Sequence, residues 1–188
     1  MSASKWNAKV SDVPPTLVSR RDAPHPYSVR EPDAKYLATK QSVTPTRMLL
    51  DVNVWVALFD DAHVASSRAN ALIETPDIKI ATCPLVENGV IRVLNLPSYG
   101  RRGALGIMAV RQQLVNACAA LDHEFWPDDV SLRDDAAVDF TRVHGHNQIT
   151  DLYLLALAVK HDGALITLDQ NVPLQAVRGA STKHLRVL

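Results

Sequence analysis

Four carboxylates in this chain stand where ordinary surface acids do not. Asp51 interrupts the apolar run "MLLDVNVWVALF", Glu87 lies in "PLVENGVIRVL", Asp151 opens "DLYLLALAVKHDG" and Asp169 closes "ITLD". An ionised carboxylate within an apolar run is costly unless something pairs with it. Read on a helix, Glu87 shares a face with Val90, Ile91 and Leu94, and Asp151 shares one with Leu154, Leu155, Ala158 and Val159. Each of these two acids therefore heads a stripe that faces the core or a cleft. Plainer roles exist for each: Asp51 as a helix N-cap, Glu87 as a first-turn acid, Asp151 in a helix start capped by Thr150, Asp169 in a turn. A first-turn role leaves the inward face of Glu87 unexplained. Gathered together, two such acids ~4 Å apart repel by on the order of 4 kcal/mol at an effective dielectric near 20. Either some stay protonated or a cation sits among them. Oxygen donors without an accompanying Cys/His set favour Mg²⁺ or Mn²⁺ over zinc, which points to hydrolytic chemistry.

The elements that must position these acids alternate. Short apolar runs at "RMLL", "IKIAT", "HEFWP", "ALITL" and "HLRVL" read as strands, with helical patterns between them at roughly 54–74, 85–95, 102–120, 131–143, 151–161 and 171–177. Strands separated by helices require a parallel sheet covered on both faces, so the fold class is α/β. In such sheets the chemistry lies beyond the carboxyl ends of the strands. Asp51, Glu87 and Asp169 each follow a strand, and all four acids are expected at that one end.

The first 47 residues differ. They hold six of the eleven prolines and no apolar period, so they read as a Pro-rich, disordered extension before a domain at 48–188. Met48 stands as a candidate start of the working domain. The net charge of zero divides into eight Lys/Arg against four Asp/Glu before Met48 and twelve against sixteen after it. Bulk charge thus gives no nucleic-acid footprint, and any RNA grip must come from local cations such as Arg92, Arg101 and Arg102. Arg111 is a further local cation. His63 reads as a surface histidine at a helix start, His144 and His146 lack partners for a metal site, and Trp55 and Trp126 read as core. Cys83 and Cys118 form no metal spacing or disulfide framework, and no segment suggests a membrane span or export signal. A cytoplasmic protein is expected.

The segments "LLDVNVWVALF", "PLVENGVIRVL" and "TDLYLLALAVKHDGALITLDQN" occur in the order and setting of the PIN-domain ribonucleases. The chain from Met48 to Leu188 resembles most closely the toxin components of bacterial VapBC toxin–antitoxin pairs. The resemblance implies a three-layer α/β/α sandwich with a central parallel sheet, a divalent metal (Mg²⁺, with Mn²⁺ as a substitute) and endoribonuclease activity. It implies Asp51, Glu87, Asp151 and Asp169 as the catalytic acids, with Asp51, Asp151 and Asp169 on the metal. Asn53, Thr150 and Thr167 take supporting places. Asn171 stands where many relatives carry a further acid, which removes one negative charge. A VapB-like antitoxin, a homodimer, an RNA substrate and DNA contact only through the antitoxin are implied as partners. Two other readings compete: a phosphatase with Asp at the end of strand one, which Asn53 disfavours because a second Asp is wanted there, and a non-catalytic scaffold for an antitoxin-like partner.

Overall fold

Five of the apolar runs become strands: β1 (Met48–Leu50), β2 (Lys79–Thr82), β3 (Asp122–Phe125), β4 (Ala164–Thr167) and β5 (Leu185–Val187). A computed structural model describes residues 46–97, 99 and 106–188. The expected disordered extension therefore lies outside the described residues except at Thr46 and Arg47, and so do Arg101 and Arg102. The strands pair in the order β3-β2-β1-β4-β5, all parallel, with Leu49 opposite Leu165 and Leu50 opposite Ile166. Leu49, Leu50, Ile80, Ala81, Leu165 and Ile166 are fully buried, as expected for central strands covered on both faces. The helices between them are α1 (Val52–Phe59), α2 (Ser66–Ile73), α3 (Pro84–Val93), α4 (Ile107–Ala120) and α5 (Ile149–Lys160). This is the expected α/β/α sandwich. Among the described residues no helix is long and apolar enough to cross a membrane.

Strand order follows from the path of the chain. From β1 the sheet grows to one side through β2 and β3, then α5 carries the chain back to β4 on the other side of β1. The carboxyl ends of β1 and β4 thus flank the point where the winding reverses, which is where an open α/β sheet leaves a crevice.

Three helical expectations change. The pattern over 54–74 divides into α1 and α2, because Asp60 Oδ1 accepts from Ala62 N–H at 3.0 Å and His63 Nδ1 accepts from Ala65 N–H at 3.1 Å. Such local bonds offer the backbone an alternative to the helix ladder. The stretch 131–143 forms turns and one 3₁₀ turn, with Asp134 and Asp139 accepting from Ala136 and Thr141 N–H in the same way. Pro173 limits 171–177 to a 3₁₀ turn at Leu174–Ala176.

Close approach fixes two glycines. A Cβ on Gly89 of α3 would lie 2.5 Å from Val52 Cγ2, so α3 packs directly on the start of α1. A Cβ on Gly163 would lie 2.4 Å from Trp126 Cη2 and 2.8 Å from the Arg47 carbonyl. Trp126 itself is 2% exposed and stacks on His161 at 4.5 Å, and Trp55 is fully buried, so both tryptophans are core residues.

Arg47 belongs to the packed structure although the sequence assigns it to the extension. Its guanidinium donates to the carbonyls of Ile80 and Asp122 at 3.0 and 2.9 Å and pairs with Asp122 and Glu124 at 2.9 Å each. Its own carbonyl accepts from Ala164 N–H at 3.0 Å. One side chain therefore straps β2 to β3 beneath β1. Arg47→Ala is expected to cost about 1–2 kcal/mol, the range for a partly exposed, charge-assisted network. That corresponds to about 3–6 °C in the thermal midpoint. A chain begun at Met48 should lose at least that amount, because it also lacks the Arg47 carbonyl that accepts from Ala164 N–H, and an unchanged midpoint in both would show the strap to be dispensable.

Candidate active site

Asp51 leaves β1 directly into α1, and its two carboxylate oxygens do different work. Oδ1 accepts from Val52 N–H at 2.6 Å, capping the helix, while Oδ2 accepts from the Thr167 hydroxyl at 2.6 Å. The N-cap role is thus present, while the second oxygen is tied to the end of β4. Thr167, fully buried at the end of β4, is a hub. Its Oγ1 also accepts from Asn53 Nδ2 at 3.0 Å and from Asp169 N–H at 3.1 Å. Asn53 Oδ1 in turn accepts from Leu168 N–H at 3.1 Å. These bonds lock the end of β1 to the end of β4 through Asn53 and Thr167.

Asp151 approaches from the first turn of α5. Together with Asp169, Asn171, Gln148 and His144 it lines a cleft of about 270 Å³. Gln148 holds the cleft wall together: its Oε1 accepts from His144 N–H at 2.9 Å and its Nε2 donates to the Asn171 carbonyl at 3.0 Å. Asp169 Oδ1 accepts from Asn171 N–H at 2.7 Å, so Asn171 shapes the loop through its backbone while its exposed side chain faces the cleft opening. Thr150 does not cap α5. The N-cap is Gln148, and Thr150 is an exposed residue one position inside the helix, because the helix starts earlier than the Thr-Asp pair suggests.

The three aspartates feel one another. Burial pushes the Asp51 carboxyl above its ordinary range, against the hydrogen bonds from Thr167 and Val52 that pull it down, and the Asp169 charge adds to the rise. Burial, then the charges of Asp51 and Asp169, push Asp151 up to about 6. Among the described residues no Lys or Arg pairs with any of the three.

Glu87 makes its side-chain hydrogen bond on the β2–β3 side of the sheet. Its Oε1 accepts from the Thr82 hydroxyl at 2.8 Å, and the same hydroxyl oxygen lies 2.8 Å from His123 Nε2. β2 lies on the far side of β1 from β4, so the acid that follows β2 is turned towards β3. His123 has no sequence signal of its own; an alternating strand "DHEF" at the sheet edge conceals it. Arg92 sits in the last turn of α3, exposed and about 7 Å along the axis beyond Glu87. That places it towards the amino end of the strands, away from the aspartates. His63 Nδ1 serves the turn before α2, whereas His144 lies in the cleft wall beside Asp151 and Asp169. His146 is exposed on the preceding 3₁₀ turn.

Among the described residues no group of three or more His, Cys, Asp or Glu side chains is placed to hold a metal ion. The donor set nevertheless fits a hard cation that keeps most of its waters. Mg²⁺ typically takes one or two carboxylates and retains its hydration, whereas zinc wants a tight set of nitrogen and sulfur ligands.

Comparisons with known proteins identify the family of this fully parallel sheet. Residues 48–179 match the PIN domain family. The chain belongs to the PIN-domain family, and its relatives place it with the VapC-type members. It is 43% identical over 144 residues to Ribonuclease VapC44 of Mycobacterium tuberculosis, covering 76% of this chain and 99% of that protein. It is 37% identical over 125 residues to Ribonuclease VapC29 of the same organism, covering 66% and 87%. Ribonuclease VapC38 is 40% identical over 125 residues, covering 66% and 86%. Among solved structures, VapBC2 from Rickettsia felis bound to a promoter DNA fragment aligns with a TM-score of 0.48 at 14% identity, over 76% of this chain and 98% of that one.

Proposed function

We propose that this protein is a divalent-metal-dependent endoribonuclease, the toxin of a type II toxin–antitoxin pair. The observation that carries the reading is three mutually repelling aspartates at the β1–β4 switch with no described protein cation to offset them. The kinship with proteins named ribonucleases supplies the substrate class.

Asp51, Asp151 and Asp169 are the residues to hold Mg²⁺ or Mn²⁺, with Asn171 able to offer an amide oxygen to the ion's water shell. The ion, when bound, activates water and offsets charge on a phosphodiester. The chain's own residues do the rest. Thr167 orients Asp51 and, through the Asp169 N–H, the loop that carries Asp169. Asn53 keeps that loop in register with β1. The Gln148 bridge ties the segment before α5 to the loop after β4 and so fixes the wall of the cleft. Glu87 serves from the β2 side as an acceptor for a water proton. The partners are an RNA substrate, a VapB-type antitoxin that masks the acids, and a second copy of the chain; the setting is the cytoplasm.

Calorimetric titration with MgCl₂ and MnCl₂, paired with cleavage of a total RNA pool with and without EDTA, tests this. Binding at millimolar levels or tighter, with cleavage that EDTA stops, is the expected result. Cleavage unaffected by EDTA, or no divalent binding at millimolar levels, would overturn it.

A further inference from the structure

Thr82 is fully buried at the carboxyl end of β2, and its one hydroxyl proton has two claimants. Glu87 Oε1 and His123 Nε2 each lie 2.8 Å from Thr82 Oγ1. A carboxylate only accepts, so the hydroxyl proton goes to Glu87, and the lone pair on Oγ1 must then accept from an Nε2–H on His123. The direction of the chain is thereby fixed: His123 donates to Thr82, and Thr82 donates to Glu87. Burial lowers the affinity of the His123 ring for a second proton, with Glu87 and Glu124 opposing that effect and Arg47 reinforcing it. The Arg47 strap holds β3 on both sides of the histidine, through Asp122 and Glu124.

The relay leaves Glu87 half finished. One oxygen is tied to Thr82, and among the described residues Oε2 has no hydrogen-bond partner. Glu87 stands in the first turn of α3. An untethered glutamate at a helix start samples several rotamers, and the tether selects one of them.

We propose that His123 is a positioning residue, acting through Thr82 to hold Glu87 in one rotamer with its second oxygen free to accept from water. The proposal rests on the reading of Glu87 as part of a hydrolytic site.

Two measurements on the full chain test it. Nitrogen NMR of the histidine rings is expected to show the Nε2–H tautomer for His123, and that preference should be lost in Thr82→Val. Steady-state cleavage should show His123→Ala lowering kcat about 10-fold at unchanged KM, the scale typical of an outer-shell orienting residue. His123→Gln, whose amide N–H takes the place of Nε2–H, should recover most of the loss. In a Glu87→Gln background, His123→Ala should cost nothing further, because the two changes break one relay. An Nδ1–H tautomer, an undiminished kcat in His123→Ala, or an equal loss in both backgrounds would overturn the proposal. If the unaltered chain cleaves no RNA with Mg²⁺ or Mn²⁺, the hydrolytic reading falls and takes the catalytic role of His123 with it, while the tautomer still reports whether the relay exists.

Discussion

Asp51→Asn is expected to abolish metal-dependent RNA cleavage, lowering kcat about 10³-fold or more, while the fold persists. The amide is nearly isosteric with the carboxylate. Its oxygen can accept from either Val52 N–H or the Thr167 hydroxyl but not from both, and its NH₂ finds no free lone pair on Thr167, whose oxygen already accepts from Asn53 Nδ2 and Asp169 N–H. The charge and one hydrogen bond are lost, the latter costing about 1–3 kcal/mol of stability. Removing one ligand charge from a cation site costs about 4 kcal/mol of transition-state stabilisation, which is the 10³-fold loss. Calorimetry should show weakened Mg²⁺ binding in parallel, and circular dichroism should show an unchanged spectrum. Cleavage within ten-fold of the unaltered protein would sink the assignment of Asp51 to the metal.

Asp151→Asn should move activity and stability in opposite directions. Cleavage falls as for Asp51, but the metal-free protein becomes more stable at pH 7. The folded-state carboxyl of Asp151 titrates at about 6, above its ordinary 3.8, because burial and two neighbouring aspartates disfavour its ionised form. The native state therefore binds the proton more tightly than the unfolded chain does. That contribution to stability is complete below about pH 4 and is lost as the pH rises to about 6. At pH 7 the metal-free protein carries the full penalty, about 1–2 kcal/mol after solvent screening of a half-buried group. Asparagine removes both the penalty and its pH dependence. Thermal scans in EDTA should show the unaltered chain gaining stability between pH 7 and pH 5 and the variant gaining less. Added Mg²⁺ should raise the midpoint of the unaltered chain at pH 7 and leave the variant unmoved. A variant less stable than the parent in EDTA would contradict the repulsion argument.

Both expectations depend on residues whose type and element were legible in the chain. The strands of "RMLL" and "ALIT" follow from short apolar runs, and Asp51 and Asp169 follow those strands in sequence. The buried character of α5 follows from a helix apolar nearly all round, with Leu152, Leu154, Leu155 and Leu157 fully buried. The boundaries that failed did so for local reasons. Asp60 and His63 bond back to the turn and break a long helical pattern, and Gln148 starts α5 ahead of Thr150. The hydrophobic period registers neither, because the first depends on single side-chain hydrogen bonds and the second on a 3₁₀ turn at His146–Gln148 that runs straight into the helix.

By itself the sequence determined that four acids would stand at the carboxyl ends of parallel strands, since alternating strands and helices allow only that direction. Strand order it left open, because order depends on which faces pack after the crossovers close, and no local pattern encodes that. The tertiary structure set β4 on one side of β1 and β2 on the other. That choice brought Asp51, Asp151 and Asp169 within reach of one another's charge and tied Asp51 to Thr167. It also turned Glu87 towards Thr82 and His123, a histidine on an edge strand that becomes visible only once β3 lies beside β2.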